Sequence, residues 1–244
     1  VYDAYSRIFA RCGIPEVAIV KSDSGMMGGS ISHEYMLLTP VGEDSIAICP
    51  ECGYSANVEA APSIIKNENK IPKEELKEVS TPGTGTIEEL CDFLKIPAEN
   101  TAKAVVYQKN ADDSYIVAFI RGDLDINETK LTNAVGEDIH PAVIEDDSIL
   151  TAGFIGPVGI SDKVTVYFDN SLEGIDYLVT GANKVDTHYT GFNVERDCPD
   201  AKYVDLAKSQ KEVFVQTVAS LLLIFQEVLK LVISSNLVQN IQRQ

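Results

Sequence analysis

The sequence predicts an α+β fold, a mixed and mostly antiparallel sheet with flanking helices, and three observations predict it. "TAKAVVYQK" and "SYIVAFIRGD" are apolar runs rich in β-branched and aromatic residues, separated by the turn "NADD", and read as a hairpin. "TIEELCDFLKIP" places Ile87, Leu90, Cys91 and Leu94 at helical spacing behind Thr86 as an N-cap, with Pro97 as the stop. "INETKLTNAV" reads as a further helix and "KVTVYFDNSL" as a further strand, so helices and strands are interspersed.

The remaining elements follow in chain order. "VYDAYSRIFARCG" reads as an amphipathic helix with Tyr5, Ile8 and Phe9 on one face, and not as a signal peptide, so the chain is expected to begin inside a domain. "EVAIVKS", "EYMLLTP" and "SIAICPE" read as strands of an antiparallel sheet. Ala61 to Ser80 is polar, Lys/Glu-rich and punctuated by prolines, the composition of a linker or of a solvated surface segment. "GFIGPVG" is a turn, and "GIDYLVTGANKVDTHYTGFN" a short helix or strand, a Gly-Ala-Asn turn and a last strand. From Phe214 to Ile233, Val215, Val218, Leu222, Phe225, Leu229 and Val232 recur at helical spacing. Gln216, Gln226, Glu227 and Lys230 interrupt that face, which argues against a bilayer span. The expected organisation is residues 1–60, a linker over 61–80, a second domain over 81–206 and a helical tail over 207–244.

A chain of 244 residues can bury a sizeable core and hold one or two domains. Its net charge of −17 repels phosphate backbones, so any nucleic-acid partner must be held by a local site or by another part of a larger protein. Five cysteines, an odd number, point to a reducing compartment and a cytoplasmic location. Cys49 and Cys52 in "CPECGY" form half of a zinc knuckle, and a lone pair of this kind reads as metal-free. The glycine-dense "GMMGGSISHEYMLL" leaves three uses open: a phosphate loop, a tight bend or the floor of a small-molecule pocket.

"SGMMGGSISHEYMLLTPVGEDSIAICPECGYSANVE" resembles the segment of bacterial-type prolyl-tRNA synthetases that follows the second class II signature motif. "TPGTGTIEELCDFLKIPAENTAKAVVY", "IRGDLDINETKL", "GFIGPVG" and "GANKVDTHYTGFNVERD" resemble successive elements of the editing domain inserted in that enzyme. The likeness runs in order from Val1 to about Leu206. It implies part of a class II catalytic sheet followed by a YbaK-like editing domain, from about Thr81 to Asp197, that hydrolyses alanyl-tRNA(Pro). A pocket shaped for proline rejects the smaller alanine by only about 1 to 3 kcal/mol, which is why a second, hydrolytic sieve exists.

The resemblance also implies roles. Gly28, Gly29, Ser30, Ser32, His33 and Glu34 would line the proline pocket, with Tyr35 standing where Phe is usual. Lys103 matches the lysine on which editing depends. Gly153, Gly156 and Pro157 match the Gly-x-x-x-Pro loop, whose exposed backbone N–H groups would suit an oxyanion. His188 matches a substrate-positioning histidine and Thr81 a threonine at the pocket rim. No Ser-His-Asp arrangement and no metal cluster is evident, so the expected mechanism orients a water with help from a ribose hydroxyl and without a cofactor.

The expected partners are tRNA(Pro) and an alanyl or prolyl group, with no membrane. The full-length family is a homodimer that uses ATP and magnesium. After Leu206 the chain departs from the family pattern, and the motifs for ATP are missing from it, so ligation and prolyl-adenylate formation are not expected. The alternative to a retained hydrolase is a non-catalytic remnant or tRNA-associated binding module.

Overall fold

The computed structural model describes residues 2–14, 17–23, 32–39, 44–49, 53–63, 65, 67, 74–144 and 149–209, and the backbone of 224–235. It divides into two compact units, Val1–Ile64 with Lys208–Gln244, and Ile65–Ala207.

The first unit contains helix α1 (Tyr2–Arg11), strands β1 (Val17–Ser22), β2 (Ser32–Leu38), β3 (Asp44–Ile48) and β4 (Ser55–Asn57), and a late strand β13 (Ile224–Ser235). They form a closed barrel in the order β1-β2-β13-β3-β4. Every pairing is antiparallel except the closing one, where Lys21 meets Ala56 in parallel. Val20, Met36 and Ile46 form its buried core. Strand alternation turns Tyr35 to the opposite face from Met36, where it meets Tyr2, Tyr5 and Phe9 of α1 at ring distances of 5.8, 5.2 and 5.7 Å. The Tyr35 phenol donates to the Tyr2 carbonyl at 3.1 Å.

The tail corrects the helical expectation. Residues 210–223 and 236–244 lie outside the described residues, but Ile224–Ser235 is a strand that pairs with β2 on one side and β3 on the other. Helical periodicity is a local signal, whereas β2 and β3 share no hydrogen bonds with each other and each offers an edge to a third strand. The residues of this stretch are β-branched and aromatic enough to take that place.

The second unit carries two sheets. One has three strands in the order β10 (Leu178–Gly181), β11 (Thr187–Phe192), β5 (Lys77–Ser80). The other has five, in the order β12 (Tyr203–Val204), β9 (Thr165–Asp169), β7 (Tyr115–Arg121), β6 (Ala102–Lys109), β8 (Ile139–Pro141). Only β7/β9 and β9/β12 run parallel. The expected hairpin is β6/β7, and β7 is its central member. Val117 and Phe119 enter one core with Phe168, Leu178 and Phe192, while Ile116, Ala118 and Ile120 enter another with Leu124, Leu131 and Leu206. Burial on both faces is what makes "YIVAFI" a continuous apolar run.

Helix α2 (Ile87–Leu94) starts as expected at Thr86, whose side chain accepts from Glu89 N while the Glu89 carboxylate accepts from Thr86 N. It stops at Lys95 in the left-handed conformation, two residues before Pro97. Helix α3 (Glu128–Val135) is capped by Asn127 and ends at Gly136 with a φ of +78°. A short α4 (Val194–Asp197) follows β11. The expected linker needs correction at its end: β5 is paired along its length with β11, so residues 77–80 belong to the second unit.

Candidate functional site

A pocket of about 170 Å³ opens in the second unit between the N-terminal turn of α2, the start of β6, the Gly153 loop and the end of β10. Among the described residues that line it, Lys103 carries the only full charge and no acid is present. Gly85, Gly153, Ile155, Thr180 and His188 complete the parts relevant to chemistry.

Lys103 sits at the second position of β6, opposite Ile120. Its side chain is about one-fifth exposed, and the ammonium reaches Asp125, whose side chain is 76% exposed, at 3.4 Å. A long contact to an exposed partner is worth little and leaves the lysine free to take a better anion.

His188 lies on β11, buried, with its ring edge-on to Phe154 at 5.4 Å. Its Nδ1 is 2.6 Å from the hydroxyl of Thr81. Burial without a neighbouring acid pushes its pKa down to about 4, so the imidazole is neutral at physiological pH. Thr81 is fully buried, which corrects its expected place at the rim: it stands behind the histidine and holds the ring.

Gly153, Gly156 and Pro157 do not act alike. Gly153 has a φ of +79° and lines the pocket, with room for a Cβ only 3.3 Å from Gly85 Cα. Gly156 is instead a packing position, since a Cβ there would run into the carbonyl of Gly181. The expectation of exposed N–H donors needs correction at two positions of the loop. Gly156 N donates to Asn183 Oδ1 at 2.9 Å and Phe154 N donates to the Thr151 carbonyl at 3.0 Å, so neither is available to an oxyanion. Pro157 is buried next to Gly156 and takes no part in the pocket wall.

Two residues that carry this geometry were not singled out from the sequence. Asn183, at a φ of +57°, holds the loop through Gly156 N, Gly156 O and Val158 O. Asp186, also at +57°, accepts from Thr81 N through its carbonyl and from Gly83 N through its carboxylate. The turn between β10 and β11 therefore clamps two loops that border the pocket. "GANKVD" signalled a turn, but not what its side chains would grip.

The residues expected around proline are not gathered by the described structure. Gly28, Gly29 and Ser30 lie outside the described residues. Ser32 accepts a hydrogen bond from the Ser22 hydroxyl at 2.8 Å and shares the inward face of β2 with the buried Glu34. His33 points the other way, edge-on to Tyr2 at 5.3 Å. Neighbours on a strand face opposite sides, so His33 and Glu34 do not converge. Cys49 is buried, Cys52 lies outside the described residues, and burial pushes the Cys198 thiol up to about 11. Among the described residues no three His, Cys, Asp or Glu side chains are grouped as a metal site. Also among them, no helix is long and apolar enough to cross a membrane.

Residues 81–197, within the second unit, match the family model of the aminoacyl-tRNA editing domain. Over a longer reach the chain is similar to proline–tRNA ligases. It is 44% identical over 211 residues to that of Caldicellulosiruptor bescii, covering 84% of this chain and 36% of that protein. With that of Bacillus subtilis it is 40% identical over 214 residues, covering 84% and 37%. The chain thus spans little more than a third of the length of these relatives. A solved structure described as a candidate trans-editing enzyme for prolyl tRNA synthetase aligns with a TM-score of 0.48 at 19% identity, over 55% of this chain and 87% of that one.

Proposed function

We propose that the second unit hydrolyses the ester of misacylated tRNA(Pro), with alanyl-tRNA(Pro) as substrate. The observation that carries this reading is a small pocket with one lysine at its wall and one neutral, anchored histidine inside it. Pockets for drug-sized ligands span about 300 to 1,000 Å³, so a cavity of about 170 Å³ fits a short acyl group and little more.

Lys103 exchanges its loose contact with Asp125 for a phosphate or ribose oxygen of the terminal adenosine, which holds the ester over the pocket. His188 presents a neutral ring whose Nδ1 is tied to Thr81, leaving Nε2 as the nitrogen for the bound ester or its attacking water. Water oxygen bonds to the carbonyl carbon, the bond to the ribose oxygen breaks, and that oxygen takes the proton, giving free alanine and tRNA. Gly153 lets backbone come close to the acyl group where a side chain would crowd it.

The first unit is read as part of the class II catalytic domain of a longer ligase, homodimeric and dependent on ATP and magnesium. The described residues offer no cluster for magnesium, and no step is routed through it. The test is deacylation of alanyl-tRNA(Pro) and prolyl-tRNA(Pro) by this chain. Hydrolysis of the first and sparing of the second supports the reading, and binding of tRNA without hydrolysis of either supports a binding module instead.

A further inference from the structure

One residue of the pocket wall carries a buried polar group that is unpartnered among the described residues and that the reaction above does not use. Thr180 on β10 lines it and is 1% exposed, and among the described residues its hydroxyl has no hydrogen-bond partner. The other polar side chains of the wall are engaged: Thr86 caps α2, His188 meets Thr81 and Lys103 meets Asp125. A buried hydroxyl left unpaired is costly, and such groups in native proteins call for an explanation at the site where they occur.

We propose that the Thr180 hydroxyl receives the α-amino group of the aminoacyl ester, and so makes the pocket selective for amino acids over other acyl groups. This rests on the hydrolytic reading of the same pocket. The one polar handle of the acyl group besides the ester is its α-amino group. No carboxylate lines the pocket to pair with an ammonium, and the cationic Lys103 disfavours one. An α-amino group titrates near about 7.7 to 8.0 in the reference state, so a nearby cation and a water-poor wall favour its neutral form. A neutral amine needs a partner that both accepts and donates. A hydroxyl does both, and on a β-branched side chain it is held with little rotamer freedom.

The experiment measures binding of two stable analogues, 3′-(alanylamino)-3′-deoxyadenosine and its 3′-propionylamino counterpart, which lacks only the amine. Wild type, Thr180→Ser and Thr180→Val are compared, with hydrolysis of alanyl-tRNA(Pro) followed in parallel. The wild type should bind the alanyl analogue about tenfold more tightly, the worth of one hydrogen bond to an otherwise unpaired group. Thr180→Ser should keep this preference, and Thr180→Val should lose it by weakening only the alanyl analogue. Equal binding of both analogues by the wild type overturns the proposal without any variant. Equal weakening of both by Thr180→Val makes the residue structural and overturns it too. Absence of hydrolysis alongside a preserved analogue preference overturns the hydrolytic reading and leaves the amine contact standing.

Discussion

His188 and Thr81 are joined by a 2.6 Å hydrogen bond inside the second unit, and both are buried. The bond fixes the imidazole's orientation against Phe154 and ties its Nδ1. Thr81→Val keeps the volume and removes the partner. It should cost about 1 kcal/mol of stability in a urea melt, with a larger proportional loss of deacylation rate, because the ring is then free to turn. A variant that loses stability but keeps its rate would show that the orientation of His188 is not used.

The burial of His188 has a pH signature. Its pKa is about 4 in the folded unit against an ordinary 6.5, so between these values the unfolded chain binds more protons than the folded one. This contribution to stability is complete above 6.5, is lost as pH falls toward 4, and then levels off. Melting midpoints of wild type and His188→Asn should therefore converge as pH drops through that window. Parallel curves would mean that the histidine titrates in the fold as it does in the unfolded chain.

Asn183 supplies three hydrogen bonds to the loop at Gly156 and Val158. Asn183→Ala removes all three and also places a Cβ without polar compensation at a left-handed φ. The expected loss is about 1 to 3 kcal/mol, with faster amide exchange at Gly156. Asn183→Gly should relieve the backbone and still exchange fast, which separates the clamp from the strain.

Strand β13 joins β2 to β3 in the first unit. Removing residues 224–235 should open that barrel and expose the edges of both strands to exchange. The second unit, residues 65–207, should keep its protection. Unchanged exchange in β2 and β3 would contradict the pairing.

What was legible in the sequence was local. The β6/β7 hairpin and the Thr86 cap of α2 are written within a few residues of where they act. The site was legible as a list of residues, through resemblance, and less so as an arrangement. Thr81 reads as a rim residue until its partner 107 positions away is known. Gly156 reads as an open donor until Asn183 takes its N–H from 27 positions away. The tail failed for the same reason, because helical spacing between Val215 and Val232 says nothing of two distant strands with a gap between them. Thr180 gave no signal, since an unpaired hydroxyl is visible only once the packing around it is known.

The central claim is that Lys103 holds the ester for hydrolysis, and Lys103→Ala tests it most directly. The side chain is partly exposed and, among the described residues, its ion pair is a long contact to an exposed Asp125, so its removal should leave the melting midpoint nearly unchanged. Misplacement of the ester should cost on the order of 100-fold in rate. The measurement is the single-turnover deacylation rate of alanyl-tRNA(Pro) by wild type and Lys103→Ala at matched fold. A loss of that size in a folded variant is the expected result, and a folded variant that deacylates at the wild-type rate would contradict the account.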